Sequence, residues 1–449
     1  MNEDRKRLIA NVKAAGVVGA GGAGFPTHVK LAGSVDTIIL NGAECEPLLA
    51  VDVQLLEMQA EILVESLDQL VRVSEAKSGV IAIKGKHQPA IDALQQALMG
   101  KPTLRLQSLD DFYPVGDEQV LVYEVLGRTV PEGGIPPNVG SMVINVETLL
   151  NVAKAWKGQP VTTTYVTVAG EVSQPLTLEV PVGTPISVLL DLAGGPSVPD
   201  YGVIEGGPMT GKLIHPKAID SHIAAVRKTT TGIIVLPADH WLVEQPSLSL
   251  GSILQRAQSA CCQCRICTDL CPRHLLGHDL NPHLVLNAIN HGQASNPDAY
   301  TQAFLCSDCG VCELYACPVE LSPRRVYQAL KLELMEKDIK NPHRRKVTPR
   351  ATWAGRHIPA SILISRLGLE RYDHLAPWSR IDFSPRQVVI PLQQHIGIPA
   401  HASVKVGDKV EIGQTIAIPP PDKLGAAVHA SIPGRIEEVT EDVVVISGE

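Results

Sequence analysis

Eight of the ten cysteines lie in two short runs, and this pattern constrains the fold more than any other feature of the sequence. The first run has the spacing C-x2-C-x2-C-x3-C-P and the second C-x2-C-x2-C-x4-C-P. Three thiolates at i, i+3 and i+6 can face one cubane from a tight loop, and in two-cluster ferredoxins the fourth cysteine of each run ligates the other cluster. The predicted ligand sets of two [4Fe–4S] clusters are therefore Cys261, Cys264, Cys267 and Cys317, and Cys306, Cys309, Cys312 and Cys271.

A structural zinc site is the alternative interpretation of the cysteine runs. Zinc sites usually take two ligand pairs separated by a longer finger. Here four cysteines lie close together and the arrangement is then repeated, which favours iron–sulfur clusters. The additional residue before Cys317 is the one place where the ligand assignment could shift, with Cys262 as the spare thiolate nearby.

Composition is typical of a globular redox or metal protein of a reducing compartment. Of the 449 residues, 45% are hydrophobic and 19% charged, and the net charge of -8 argues against a nucleic-acid partner. The longest apolar stretches, such as residues 232–236, are far shorter than the ~20 residues that span a bilayer, so no transmembrane segment is expected. The first residues carry acids and no apolar signal-peptide core, which predicts a cytoplasmic location.

Changes in residue pattern divide the chain into five predicted segments. Buried strands at 35–40 and 79–83, with a helix at 55–70, indicate an α/β unit. Strands at 165–168 and 176–180 indicate a β-grasp-like module, and two similar Gly- and Pro-punctuated halves indicate a terminal β-sandwich. The predicted segments are 1–157 (α/β), 158–245 (β-grasp), 246–340 (helical, with the cysteines), 341–386 (connector) and 387–449 (β-sandwich).

A glycine-rich loop near the amino terminus is a candidate phosphate site. Gly19, Gly21 and Gly24 match G-x-G-x-x-G, but residues 8–15 before them look helical, so the dinucleotide fingerprint lacks its required strand. Backbone N–H groups of such a loop can still approach a phosphate, and a helix opening at residue 27 would favour an anion. Lys30 would add a positive charge, with an ordinary solvent lysine as the alternative.

Polar residues follow the strand predicted at 35–40. Ligands of open α/β sheets bind at the carboxyl ends of strands, where this chain places residues 41–47. Glu44 and Glu46 flank Cys45, and in an extended loop both would point to one side and accept ribityl or nicotinamide-ribose hydroxyls. A solvated acidic turn is the alternative.

Four motifs together resemble one flavoprotein family. Residues 19–30, 41–47, 113–118 and 145–148 occur in the order and approximate spacing of the FMN- and NADH-binding flavoprotein of respiratory complex I, and of the related C subunit of the Rnf complex. The resemblance implies that the glycine loop and Lys30 hold the FMN phosphate and that six further residues line the flavin and nicotinamide. The implied residues are Gly19, Gly21, Gly22, Gly24 and Lys30 for the phosphate, and Asn41, Glu44, Gly116, Asp117, Glu118 and Asn145 for the rings.

Three positions depart from the complex I pattern. Ala20 replaces an Arg, Ala43 an Asp and Ile144 an Asn, and these losses bear on nicotinamide binding more than on flavin binding. Residues 163–213 resemble the SLBB β-grasp module that follows the flavin domain in these families, which implies a structural or docking role.

The order of the segments is similar to that of one family. Complex I flavoproteins have one cluster motif and the Rnf subunit begins with a barrel-sandwich domain, whereas this chain has two motifs and that kind of segment at 387–449. This order resembles the cobalamin reductases of propanediol-utilisation microcompartments. The resemblance implies a Rossmann-like FMN/NADH-binding α/β domain, an SLBB module, a ferredoxin-type double [4Fe–4S] domain and a barrel-sandwich hybrid. It also implies electron flow from NADH through FMN and the clusters to cobalamin, for the regeneration of coenzyme B12 in 1,2-propanediol degradation.

The chain has no D-x-H-x-x-G motif, so no dedicated histidine ligand for the corrin is expected. The corrin would arrive loosely or on a partner such as a cobalamin adenosyltransferase, and the resemblance implies microcompartment shell or enzyme proteins as further partners. Two alternatives stay open on sequence: a relay subunit of an Rnf-type ferredoxin:NAD+ oxidoreductase, and a docking or scaffold protein with a degenerate flavin site.

Overall fold

The amino-terminal unit is an α/β domain built on a parallel sheet. The computed structural model describes residues 2–220, 223–290, 297–381 and 383–448. The strands of this unit are β1 (Thr37–Gly42), β2 (Ser78–Lys84), β3 (Leu104–Leu109), β4 (Phe112–Tyr113) and β5 (Ser141–Asn145). The helices are α1 (Glu3–Ala14), α2 (Thr27–Lys30), α3 (Val51–Met58), α4 (Ala60–Ser74), α5 (Gln88–Ala97), α6 (Glu118–Leu126) and α7 (Val146–Trp156).

Strands β3, β2, β1 and β5 pair in parallel in that order. Successive residues of β1 alternate between two hydrophobic clusters: Ile38 and Leu40 pack with the cluster that contains α4, and Ile39 packs with the one that contains α6. A parallel sheet covered by helices on both faces needs apolar residues in its strands, which is why three consecutive residues of β1, Ile38, Ile39 and Leu40, are apolar. The α/β prediction is confirmed.

The helix predicted at 55–70 is in fact two helices. Helix α3 ends at Met58, and Gln59 has φ −119° and ψ 24°, so α4 starts afresh at Ala60. The two helices pack differently, because six consecutive residues of α3 are buried whereas α4 buries one face. No Gly or Pro marks the break, and the periodicity rule therefore missed it.

The second unit is the β-grasp module. Its mixed sheet has the order β7-β6-β10-β8-β9, and only the central β6–β10 pair is parallel. Helix α8 packs on this sheet through Ile186, Leu189 and Leu190. The elements are β6 (Thr163–Gly170), β7 (Leu176–Pro181), α8 (Ile186–Leu192), β8 (Tyr201–Glu205), β9 (Lys212–Ile214), α9 (Pro216–Asp220), β10 (Gly232–Pro237) and α10 (Trp241–Glu244).

The cysteine region is helical, as predicted. Its long helices enclose Tyr327, which is fully buried. The cysteine runs lie between these helices, in loops and short helical turns that include Cys267 and Cys312. A π-helical turn spans Val311–Tyr315. The α-helices are α11 (Leu250–Ala260), α12 (Ile266–Asp269), α13 (Pro272–Leu275), α14 (Pro282–Asn290), α15 (Pro297–Thr301) and α16 (Pro323–Glu336).

The rest of the chain returns to the first domain and then forms a sandwich. Strand β11 (Ile358–Pro359) pairs antiparallel with β4 and is followed by α17 (Ala360–Arg366). Two antiparallel sheets, β12-β18-β17-β14 and β13-β15-β16, then form the carboxyl-terminal domain. Its strands are β12 (Gln387–Pro391), β13 (His401–Ala402), β14 (Lys409–Val410), β15 (Thr415–Ile418), β16 (Val428–His429), β17 (Gly434–Val439) and β18 (Val443–Gly448). No helix within the described ranges has the length and apolar character needed to cross a bilayer.

Candidate cofactor sites

Adjacent strands β1 and β5 carry the two candidate asparagines to the same edge of the sheet. Asn41 donates from Nδ2 to the carbonyl oxygen of Gly116 at 2.9 Å. Asn145 caps helix α7 by accepting from the backbone N–H of Thr148 at 3.2 Å. The carboxyl edge of a parallel sheet is where open α/β folds bind ligands, so the structure brings these predicted residues to an appropriate place.

The glycine loop lies over this edge. Gly21 and Gly24 have φ values of +67° and +71°, which other residues adopt only with strain. A Cβ atom at Gly21 would lie 3.2 Å from Nδ2 of Asn145, whereas one at Gly22 would meet nothing within 4 Å. Gly19 donates to the carbonyl oxygen of Phe25 at 3.0 Å and closes the loop. The open space at Gly22 fits a bound phosphate, whereas a Cβ atom at Gly24 would lie 2.9 Å from the carbonyl oxygen of Gln394 in the carboxyl-terminal domain.

A helix does begin at Thr27 after this loop, as predicted, but the anion at its start stays a prediction. Helix α2 has only four residues, too few to align an appreciable dipole. Lys30, at its end, donates from Nζ to Glu118 Oε1 at 2.8 Å and to the carbonyl oxygen of Val143 at 2.9 Å. Its side chain is 27% exposed, so it is a partly buried, paired lysine rather than a solvent one. The structure thus joins two predicted site residues, Lys30 and Glu118.

Two acids at this edge of the sheet have raised pKa values. Asp52 accepts from Asn145 Nδ2 with both carboxylate oxygens, at 3.0 and 2.9 Å. Burial raises the pKa of Asp52 to about 7, against the opposing effect of the Asn145 hydrogen bond. Burial, and then the negative charges of Asp52 and Glu46, hold the pKa of Glu44 well above its usual range. Sequence reasoning missed Asp52, although an acid among the apolar residues of helix α3 is a signal that could have found it.

Glu46 faces the β-grasp module. Its carboxylate accepts from the backbone N–H of Met209 at 2.9 Å and from the hydroxyl of Thr210 at 2.6 Å. Burial raises the pKa of Glu46, and these hydrogen bonds oppose the shift. Glu44 has φ 24°, so the loop is not extended as predicted. A ligand shared by Glu44 and Glu46 stays a prediction.

Asp117 connects two domains. It caps helix α6 by accepting from the N–H groups of Gln119 and Val120 at 3.0 and 3.2 Å. Its two oxygens also accept from Arg273, at 2.7 and 3.0 Å. Arg273 follows Cys271-Pro272, so this bidentate ion pair fastens the predicted flavin loop to a cysteine run. Sequence reasoning did not identify Arg273, because the pair joins residues distant in the chain.

The three departures from the complex I pattern lie in apolar or backbone contacts. Ala43 and Ile144 are buried in hydrophobic clusters. The N–H of Ala20 donates to Thr148 Oγ1 at 2.9 Å. Gly116 packs closely on this region, since a Cβ there would lie 3.1 Å from Cys45 Sγ. Cys45 is therefore a packed neighbour of the loop, and burial raises the pKa of its thiol to about 12.

The eight cysteines of the two runs form two quartets around separate cavities. No group of three or more His, Cys, Asp or Glu side chains in the described ranges is close enough to hold a single metal ion. The cysteines instead line two small cavities, and a cubane likewise places its thiolates at separated corners. We call the first set the surface quartet and the second the buried quartet: Cys261, Cys264, Cys267 and Cys317, and Cys271, Cys306, Cys309 and Cys312.

The additional residue of the second run is absorbed by the π-helical turn. The first run has an ordinary helical turn, α12, before Cys271, whereas Val311–Tyr315 winds one residue wider before Cys317. Each fourth cysteine thereby lines the cavity of the other run. Cys262 also lines the cavity of the surface quartet and is exposed.

The wall of the buried quartet contains a hydroxyl with no hydrogen-bond partner among the described residues. This hydroxyl belongs to Tyr327, which is buried and lines the cavity. Buried donors are almost always satisfied, so an acceptor is expected in this void. Burial, followed by the nearby cysteines, holds the pKa of Tyr327 well above its usual range, so the hydroxyl stays a donor. Arg324 adds a cation to the same wall, which therefore fits an anionic, sulfide-bearing cluster.

Family models match four parts of the chain. Residues 12–154 match the Nuo51 FMN-binding domain, and residues 165–213 match the SLBB domain. Residues 260–322 match the 4Fe-4S dicluster domain, and residues 380–449 the RnfC barrel sandwich hybrid domain. The fold-class prediction is confirmed in each of its four parts, including the carboxyl-terminal position of the sandwich.

Similar curated proteins cover nearly the whole chain. "Cobalamin reductase PduS" of Citrobacter freundii is 44% identical over 99% of this chain and 97% of that protein. The protein of the same name from Salmonella typhimurium is 44% identical over 97% of this chain and 95% of its own length. The C subunit of the Na(+)-translocating ferredoxin:NAD(+) oxidoreductase complex of Acetobacterium woodii is 36% identical over 60% of this chain and 58% of that protein.

Proposed function

We infer that this chain, which belongs to the PduS family of cobalamin reductases, passes electrons from NADH through FMN and two [4Fe–4S] clusters to cobalamin. The observation that carries this inference is the direct contact between the two candidate sites. The hydroxyl of Tyr113, on the flavin side, donates to the carbonyl oxygen of Cys309 in the buried quartet at 2.6 Å. FMN supplies the conversion between a two-electron hydride donor and one-electron acceptors.

The residues divide into holding and positioning groups. The glycine loop and Lys30 bind the FMN phosphate, and Asn41, Glu44, Gly116, Glu118 and Asn145 surround the rings. Glu46 and Asp117 act as positioning residues, because their carboxylates are already engaged by the β-grasp turn and by Arg273. The eight quartet cysteines hold the clusters. In the predicted division of the chain, residues 1–157 bind FMN and residues 246–340 bind the clusters. The β-grasp and sandwich domains have structural roles.

We expect no dedicated histidine ligand for the corrin, because the sequence has no D-x-H-x-x-G motif. Cobalamin is delivered loosely or by a partner that carries it, such as an adenosyltransferase. The setting is a bacterial microcompartment, whose shell or enzyme proteins are further partners, by analogy with the propanediol-utilisation relatives.

An anaerobic cofactor and turnover assay tests this function. Purified protein is assayed for FMN and iron, and NADH oxidation is followed with cob(III)alamin as sole acceptor. We expect flavin, iron and NADH-dependent formation of cob(II)alamin. Oxidation that requires ferredoxin instead would support the Rnf-type relay, and protein with neither flavin nor iron would leave only a docking role.

The phosphate assignment has its own test. Lys30→Gln removes a charged hydrogen-bond donor, which costs about 1.5–3 kcal/mol of FMN binding, on the order of ten- to hundredfold in Kd. Fluorescence titration of the apoprotein with FMN measures the change. Lys6→Gln, which alters an exposed pair with Glu3, is the control and leaves the Kd unchanged. Equal Kd values in both variants would remove Lys30 from the site.

A further inference from the structure

The loop of residues 113–117, on the flavin side, contacts the segments that carry the buried quartet at two points. Tyr113 donates to the Cys309 carbonyl oxygen, and Asp117 binds Arg273, two residues beyond Cys271. Both cysteines belong to the buried quartet. One loop of the first domain is therefore fastened to this quartet at two of its four cysteine positions.

The β-grasp turn forms a second connection to the same quartet. The N–H of Met209 donates to the carboxylate of Glu46, in the loop of residues 41–47. The carbonyl oxygen of Met209 accepts from Arg324 at 2.6 Å. Arg324 lines the cavity of the buried quartet. A Cβ atom at Gly310 would lie 2.9 Å from the same Met209 carbonyl oxygen. The β-grasp turn therefore packs against the segment between Cys309 and Cys312.

The surface quartet is more exposed to solvent than the buried quartet. Cys264 is exposed, whereas each cysteine of the buried quartet is intermediate or buried. Val319, which lines the cavity of the surface quartet, is 37% exposed, and Ile266, between two of its cysteines, is 39% exposed. A large acceptor can approach this quartet from solvent, while the first domain and the β-grasp turn cover the buried quartet.

We propose that the buried quartet receives electrons from the flavin side and that the surface quartet delivers them to cobalamin, which approaches at residues 261–267 and Val319. This direction rests on the proposed function. One NADH gives NAD+, a proton and two electrons. The clusters that the two quartets would hold would supply one-electron transfer, so the two electrons would reduce two cob(III)alamin to two cob(II)alamin.

The order is tested by which quartet becomes reduced when the other is lost. In Cys264→Ala, the missing EPR signal identifies the surface cluster. Freeze-quenched samples taken after NADH addition should still show reduction of the buried cluster. Reoxidation of the reduced variant by cob(III)alamin should slow strongly. Reoxidation at the wild-type rate would overturn the proposal, because electrons would then leave without the surface quartet.

A milder variant tests the approach surface with all cysteines in place. Val319→Lys puts a charged side chain beside the surface quartet, and Val406→Lys puts the same group on the sandwich domain, where Val406 is 64% exposed. We expect Val319→Lys to slow cob(III)alamin reoxidation several-fold in stopped-flow, with flavin reduction by NADH and iron content unchanged. Val406→Lys should match the wild type. Equal reoxidation rates in the two variants would overturn the approach surface.

Failure of this direction is distinguishable from failure of the function. If wild-type flavin is not reduced by NADH, or reduced protein does not react with cob(III)alamin, the proposed function fails. If both reactions proceed and the EPR signal assigned to the surface cluster develops before the other, the function stands and the direction is reversed.

Discussion

The two quartets have almost the same cysteine spacing but very different surroundings. The buried quartet is walled by Arg324 and Tyr327 and is fastened to another domain through Tyr113. The surface quartet is lined by Gln263, and by Arg265, whose side chain is more than half exposed. The cysteine spacing therefore specifies the type of cluster that each quartet binds. The surrounding residues specify which molecules can approach that cluster and how strongly it is bound.

The largest expected difference is in resistance to iron removal. Chelation needs access to iron, and only the surface quartet has an exposed cysteine, Cys264. Anaerobic incubation of the holoprotein with a ferrous chelator should remove about half of the iron in a fast phase, because each cluster contributes equally. Iron analysis and EPR of the remaining cluster measure the phases. A single phase would contradict the difference in access.

The next largest effect concerns the buried ion pair of Arg324 and Glu313. These side chains are 15% and 0% exposed and lie 2.5 Å apart. Arg324→Met leaves a buried carboxylate without its cation, which costs about 3–5 kcal/mol. The matched change at the surface quartet is Arg265→Met, since Arg265 lies 3.7 Å from Asp269 with both side chains exposed. That pair is worth at most about 1 kcal/mol.

Urea unfolding of the two variants under anaerobic conditions measures this contrast. We expect a clearly lower unfolding midpoint for Arg324→Met and little change for Arg265→Met. Similar midpoints would mean that the burial of the Arg324 pair does not distinguish the two quartets.

A smaller effect is expected at the interdomain pair of Asp117 and Arg273. Asp117→Asn keeps a good helix cap, but it removes the negative charge and replaces one of the two oxygens that accept from Arg273 with an NH2 donor. Hydrogen bonds to charged groups contribute about 1.5–3 kcal/mol. The urea midpoint should fall, and the EPR spectrum of the buried cluster alone should change. The control Asp36→Asn weakens a partly exposed ion pair with Arg128. It should leave the EPR spectra of both clusters unchanged.

Much of this architecture is accessible from the sequence because its signals are local. The cysteine spacings predict two quartets, and the apolar run Ile38–Leu40 of β1 predicts a covered strand. The polar residues that end β1 and β5 lie at one edge, since strand ends in a parallel sheet necessarily meet there.

The contacts between domains are not accessible in the same way. Asp117 and Arg273 are 156 residues apart, and Glu46 and Met209 are 163 apart, so no periodicity relates them. The residue type is informative, because an acidic residue that follows a strand often has a functional role. The partner of such an acid depends on how the domains pack. A carboxylate that looks free in the sequence is therefore already hydrogen-bonded in the fold.

The smallest expected effect is at Tyr327, which lines the buried quartet and whose hydroxyl has no hydrogen-bond partner in the part of the chain that the structure describes. A hydrogen bond to the cluster stabilises the more negative, reduced state and so raises the reduction potential. Tyr327→Phe removes that bond without opening a cavity. A net hydrogen bond of about 0.5–1.5 kcal/mol corresponds to a potential about 20–65 mV lower for a one-electron couple. EPR-monitored redox titration should show this shift in the reduction potential of the buried cluster and no shift for the surface cluster. Equal shifts in the two potentials would mean that Tyr327 does not distinguish the two environments.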